Sequence, residues 1–430
     1  MGVGEFRCSL TPALPHSLTF DPISHHMRVV FANKYYYLKG GAERHLFDLK
    51  ALLEAHGHEV IPFAMAGEHD EPSPWFRHFV SPVRTESVSF DWEGLRTAGR
   101  MLYSFEARRK FASLLDEAKP DLVHVHNIYH QISPSILSLA HKRGLPVVMT
   151  VHDYSLHAPN YSLFHDGRIC EITKPHAYWR AVGHRCVKGS AAASALTALE
   201  MSLHRSLGLY KRSIDRYIAP SRFVQALMGE FGFDDKKVAF LPHFIKAGEW
   251  QPSYGGDYVL FVGRLSAEKG AEVLIRAAAV SKEVPVRIVG TGPDESFLKK
   301  LAVDLGANNV VFRGFRSGAE LKQEYAGARF VVIPSVWYEV FGLVALEAYA
   351  AGKPVVASEI GGLAEIVRAG ETGVPVSAGD AFELAGVLRD LWNQPALTEK
   401  MGRVARAWVE SEFTPEKYYA GLMDIYGWKK

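Results

Sequence analysis

From residue 28 onward the chain alternates short apolar runs with longer amphipathic stretches. The first run, Arg28–Ala32, passes through Gly40-Gly41 into a stretch with Leu46, Leu49, Leu52 and Leu53 on one helical face, ended by Gly57. Further strands are predicted at Leu122–Val125, Leu145–Val151, Ile214–Ala219, Val238–Leu241, Tyr258–Val262, Pro285–Val289, Val310–Phe312 and Phe330–Ile333. Helices are predicted over Leu95–Glu117, Ser194–Arg212, Glu272–Ala279, Leu343–Ala351 and Ala381–Trp392, with Gly352 and Pro354 stopping the fourth. A last stripe carries Tyr418, Leu422 and Ile425, while residues 67–95 show no clean period and read as a long loop. Strands that alternate with helices, each strand a near-continuous apolar run, predict doubly wound parallel α/β sheets. A chain of 430 residues exceeds one ordinary core, so two such domains are expected. The Gly- and Pro-rich stretch from Pro242 to Asp257 is the natural linker, giving domains at 27–243 and 244–412.

In a doubly wound sheet, ligands bind beyond the carboxyl ends of the strands, so the loops there carry the candidate chemistry. Gly40 and Gly41 follow the first strand, and no GxGxxG fingerprint for a dinucleotide accompanies them. His126 and His152 follow two successive strands, whereas His124 points to the opposite face from Val125. Gly263, Arg264 and Lys269 stand at a strand–helix junction where a guanidinium fork and an ammonium suit a diphosphate. Gly290 and Gly292, in GTGP, let backbone approach a ligand, and Gly373 reads as a turn. The stretch from Ile333 to Val367 places free backbone N–H groups near Phe341, Gly342 and Leu343, where a helix begins and attracts phosphate. Glu339 and Glu347 flank that point, and carboxylates accept from hydroxyls in pairs. If helical, their separation spans about 12 Å, the reach from a sugar across a diphosphate to a ribose.

The net charge of +2 gives no argument for nucleic acid, and no apolar run is long enough to span a bilayer. Cys8, Cys170 and Cys186 make no disulfide framework, which fits a reducing, cytoplasmic compartment, at the inner face of the membrane or away from it. His176 and His184 lie near the last two cysteines, but the spacing matches no zinc template, and buried free thiols are expected. Residues 1–26 lack a signal-peptide pattern and are expected to be a disordered extension or a mis-assigned start before Met27. The basic amphipathic segment Ser194–Arg212 can lie on an anionic membrane surface, and a helix packed on the sheet gives the same pattern.

Glu339-x7-Glu347, with FGLVALEAYAAGKPVVAS between and beyond, then Gly361-Gly362 and Glu365, resembles the donor site of retaining glycosyltransferases of family 4. GGAE at 40–43, IDRYIAPSRF and GRLSAEKG match that family's wording too. The resemblance implies the GT-B fold, two Rossmann-like domains facing a central cleft, with the last helix, 413–430, crossing back to the first domain. It implies that Glu339 holds donor-sugar hydroxyls and Glu347 the ribose, while Arg264 and Lys269 stabilise the leaving nucleoside diphosphate. A histidine of the first domain contacts the transferred sugar in such enzymes, and both His126 and His152 match. Two departures stand out: His243 where Asn is common, and Thr173 at the second cysteine of a CxxC insert. No Asp-x-Asp metal motif occurs, so metal-independent, cofactor-free transfer from a nucleotide sugar to a hydroxyl of a glycan, lipid-linked or small-molecule acceptor is expected. A sugar phosphorylase, a nucleotide-sugar epimerase and a non-catalytic nucleotide-binding partner are the rival readings.

Overall fold

The computed structural model describes residues 26–83 and 92–427, and the expectations for residues 1–25 and for the loop tip at 84–91 lie outside them. The first sheet contains β1 (Arg28–Ala32), β2 (Glu59–Phe63), β3 (Leu122–Val125) and β4 (Val147–Thr150). A two-stranded hairpin, β5 (Phe164–His165) and β6 (Arg168–Ile169), stands apart, and β7 (Arg216–Ala219) and β8 (Val238–Phe240) complete the sheet. All its pairings are parallel, in the order β2-β1-β3-β4-β7-β8. The second sheet contains β9 (Tyr258–Val262), β10 (Val286–Val289), β11 (Val310–Gly314), β12 (Ala328–Ile333), β13 (Val355–Ser358) and β14 (Gly373–Val376). It runs β11-β10-β9-β12-β13-β14, again all parallel, which is the Rossmann order. Strand order therefore reverses between β1 and β3 and between β9 and β12, and a crevice opens beyond the carboxyl ends at each reversal.

Alternation along the strands feeds a separate core on each face. In β1, Val30 and Ala32 join one cluster with Phe111 and Ile136, while Val29 and Phe31 join another with Leu46, Leu49 and Leu53. In β9, Leu260 packs with Leu346 and Tyr349, while Val259 and Phe261 pack with Leu274 and Ile275.

Two predicted helices are broken. The segment Leu95–Glu117 is two helices, Trp92–Leu102 and Phe105–Ala118, because Ser104 caps the second by accepting from the Ala107 N–H. Ser194–Arg212 is likewise Ala191–Ser206 followed by Leu209–Ser213, divided at Gly208 with φ +64°. The longer piece packs inward with Ala193, Thr197, Ala198, Glu200 and His204 buried. Gly373 begins β14 rather than forming a turn, paired with Val355. No helix among the described residues is long and apolar enough to cross a membrane.

The last helix, Pro415–Tyr426, lies on the first domain. Tyr418, Leu422 and Tyr426 are buried beside Val29, Leu46 and Leu49, with Ile425 only partly buried at the edge. Tyr418 Oη is 3.1 Å from His45 Nε2, Tyr419 Oη 2.8 Å from His58 Nε2, and Tyr426 Oη 2.6 Å from His124 Nδ1. Leu422→Ala is expected to destabilise the first domain by about 2–5 kcal/mol. Calorimetry checks this, and an unfolding midpoint equal to wild type would place the helix outside that core.

Candidate active site

A cleft of about 2180 Å³ runs between the two sheets' carboxyl edges. Its lining includes Gly40, Gly41, His152, Gly263, Arg264, Lys269, Gly290, Gly292, Glu339, Phe341, Gly342, Leu343 and Glu347. Of the candidate catalytic and donor-binding residues, only His126 lies outside that lining. It is fully buried behind His152, with Nδ1 2.9 Å from His152 Nε2. His124 is deeper still, bonded to Tyr426 and to Thr150 Oγ1 at 2.8 Å. Burial pushes the His152 and His124 imidazoles down to about 3, so both rings are neutral at physiological pH. Where the family commonly has Asn, His243 is a buried ring 3.9 Å from that of His45 and 5.1 Å from that of Phe341.

The second-domain wall is built on the loops after β9, β10 and β12. Lys269 Nζ donates to Glu339 Oε1 at 2.7 Å, and Ser335 Oγ donates to the same oxygen at 2.7 Å. Burial alone would raise the Glu339 carboxyl, but Lys269 and Ser335 outweigh it and hold the group below the usual range. Arg264 is exposed at the cleft and makes no ion pair among the described residues. The loops approach very closely: a Cβ at Gly290, whose φ is +134°, would come within 1.8 Å of the Gly263 carbonyl oxygen. Gly361, at φ +58°, lets its own turn pack under the Glu339 backbone, and the Gly362 N–H donates to the Glu339 carbonyl at 2.7 Å.

The helix Leu343–Ala350 starts after Gly342 with no side-chain cap, so its first N–H groups face the cleft without a protein carboxylate. The spacing of Glu339 and Glu347 is not that of eight helical positions, because the first four lie in loop. Glu347 is held by Tyr325, whose hydroxyl donates to Oε2 at 2.7 Å. Burial raises the Glu347 carboxyl above its ordinary value, only partly offset by Tyr325 and Arg44.

Several residues here escaped the sequence reading. Asn33 ties β1 to β3: its Oδ1 accepts from the Asn127 N–H at 3.0 Å and its Nδ2 donates to Glu43 at 3.3 Å. Glu43 and Asp153 line the first-domain wall, and Asp153 Oδ1 accepts from the Ser155 N–H at 2.9 Å. Glu43 lay in plain view within GGAE; nothing local marked Tyr325. Cys170 and Cys186 are free and half-buried, and no group of three metal-ligating side chains is assembled among the described residues.

Residues 249–408 match the family model described as Glycosyl transferases group 1, and residues 39–248 match Glycosyltransferase Family 4. A D-inositol 3-phosphate glycosyltransferase of Arthrobacter sp. (strain FB24) is 31% identical over 322 residues, 70% of this chain and 71% of that protein. A glycogen synthase of Mycobacterium tuberculosis (strain CDC 1551 / Oshkosh) is 27% identical over 414 residues, 90% of this chain and 91% of that one. Among solved structures, the sucrose-phosphate synthase from Thermosynechococcus elongatus superposes with a TM-score of 0.70 at 20% identity, covering 94% of this chain and 98% of that one. Anabaena Alr3699/HepE in complex with UDP and glucose gives 0.64 at 20% identity, covering 94% and 100%. The chain belongs to glycosyltransferase family 4 and has the GT-B fold, the class its two facing Rossmann-like sheets define. It is a hexosyltransferase that uses a nucleotide-sugar donor.

Burying Glu347 carries a cost in stability. With its native pKa above the unfolded value, its charge costs stability once pH rises past that native pKa, and the cost disappears below about 4.5. Glu347→Gln is therefore expected to melt higher than wild type at pH 7, with the gap closing as pH falls towards 4.5. Its affinity for a nucleoside diphosphate should drop by roughly tenfold or more, through loss of a charged hydrogen-bond acceptor. Calorimetric unfolding and nucleotide titration measure the two arms.

Proposed function

We propose that the enzyme transfers a sugar with retention of configuration, without a metal ion, to a hydroxyl of a glycan, lipid-linked or small-molecule acceptor. The observation that carries this is the convergence of Arg264, Lys269, Glu339, Glu347 and an uncapped helix N-terminus on one wall of one cleft. Two cations and a set of amide dipoles are the charge a departing nucleoside diphosphate needs, and such preorganised charge is commonly the largest catalytic term. Glu339, kept ionised by Lys269 and Ser335, accepts hydroxyls of the donor sugar. Glu347 accepts those of the ribose, and backbone around Gly263, Gly290 and Gly292 approaches the base. The residue assigned to the transferred sugar on the opposite wall is His152, because His126 stands behind it and fixes its ring through the 2.9 Å contact. His126 is a positioning residue in this reading.

The bond from the anomeric carbon to the phosphate oxygen breaks, and the acceptor oxygen bonds to the same face. The acceptor proton passes to the departing phosphate oxygen. The two acids of the opposite wall are already engaged locally, Glu43 with Asn33 and Asp153 with the Ser155 N–H, which favours this front-face course over double displacement.

Arg264→Ala and Lys269→Ala are each expected to lower kcat by roughly 10²–10³-fold at saturating donor, since the charge they meet develops in the transition state. A change confined to the donor KM would remove that role. In a second assay, transfer from a UDP-, GDP- or ADP-sugar is expected to proceed unchanged in EDTA, with NMR of the product showing the donor's anomeric configuration preserved. Activity lost in EDTA and restored by magnesium or manganese, or an inverted product, would refute this mechanism.

A further inference from the structure

A second cavity, of about 300 Å³, lies inside the first domain between the segment 155–178, the helix Ala191–Ser206 and the turn at 231–233. Tyr129, His130, Ser155, Pro159 and Tyr161 border both this cavity and the cleft, so the two spaces adjoin across a thin wall. Tyr161 stands at that wall 54% exposed and at φ +51°, a conformation a bulky residue adopts only when its surroundings enforce it.

The lining combines three kinds of chemistry. Leu156, Met201, Tyr178, Phe231 and Phe233 supply apolar and aromatic surface. Glu200, only 2% exposed, accepts from His130 Nδ1 at 2.7 Å through one oxygen. Its other oxygen is 3.9 Å from His204 Nδ1, beyond hydrogen-bonding reach. Such a carboxylate is buried on a helix face where a packing helix ordinarily puts apolar side chains. Arg205 and Lys211 are exposed at the cavity's edge, and neither makes an ion pair among the described residues. Burial, joined by those two charges, pushes the His176 imidazole down to about 4, so their field is felt inside. Desolvation works against a charged His130, but Glu200 overrides it and raises the ring's pKa. The balance of charge around the cavity is positive.

We propose that this cavity binds an acidic sugar unit, a pyranose carrying a carboxylate or a phosphate. Rings stack on its faces, Glu200 accepts a hydroxyl, and Arg205 with Lys211 meets the anion. Resting on the glycosyltransferase reading of the adjoining cleft, the unit it holds is the part of the acceptor next to the reacting hydroxyl.

The test uses the full chain with glucuronate, glucose 6-phosphate and glucose as probes, titrated with and without saturating UDP. Wild type is expected to bind at least one acidic sugar tenfold or more tightly than glucose, with UDP not competing. A preference for glucuronate alone assigns a carboxylate, and one for glucose 6-phosphate alone a phosphate. Arg205→Glu, at an exposed position, should erase the preference, and Met201→Trp, which fills the space, should weaken all three probes tenfold or more. An unchanged unfolding midpoint for Arg205→Glu shows that the fold is kept. Equal binding of all three probes, no binding, displacement by UDP, or a preference that survives both variants would overturn the assignment. Failure of UDP itself to bind wild type would instead count against the cleft reading, leaving the sugar titrations to be judged alone.

Discussion

The whole arrangement depends on a single loop, residues 335–342, which does two jobs with adjacent side chains. Glu339 turns into the cleft, while Val340 joins the hydrophobic core of the first domain with Trp337 and Tyr338 against it. Ser221 Oγ of the first domain donates to the Val340 carbonyl at 2.7 Å. Glu365, just past the Gly361-Gly362 turn, accepts from the Arg222 and Phe223 N–H groups at 2.9 and 2.6 Å and so caps a first-domain helix. Positioning Glu339 and joining the domains are thus one structural event.

The two glutamates show how one cleft gives similar groups different properties. Glu339 has an ammonium and a hydroxyl on one oxygen and stays ionised despite burial. Glu347 has a neutral phenol as its bonded partner, and burial wins. The difference comes from the strand ends behind them. Lys269 arrives from the β9 loop across the reversal of strand order, whereas Glu347 sits one turn inside a helix with Tyr325 beneath it. The cleft thus offers a firmly ionised acid at one point and a more easily neutralised one at the other.

Much of this was readable from the sequence because parallel strands are buried on both faces and announce themselves as apolar runs. Most strands of both sheets, and every cleft-lining residue named at the outset, follow from those runs and the loops after them; β2, β13 and β14 are not among the predicted strands. The failures share another cause, contacts between positions far apart in the chain. His126 and His152 follow equivalent strands, and only the depth of the surrounding loops decides which reaches the cleft. Tyr325 and Glu347 meet across 22 positions on different helices. The breaks at Ser104 and Gly208 turn on one capping hydroxyl and one left-handed glycine, each too small a signal to interrupt a strong helical period. The sequence does not mark Glu200 and His204 as inward-facing on their helix; their burial is a matter of tertiary packing.

The last helix leaves a mark on how the molecule comes into being. A first domain emerging from the ribosome precedes residues 415–426, yet part of the cover over Val29, Leu46 and Leu49 comes from Tyr418, Leu422 and Tyr426. Domains ordinarily mature in the order of their synthesis. Here the earlier one lacks part of the cover on one apolar face until residues 415–426 have been made. The second domain's core ends at Phe413, so the first domain gains its final cover from residues that follow the whole of the second.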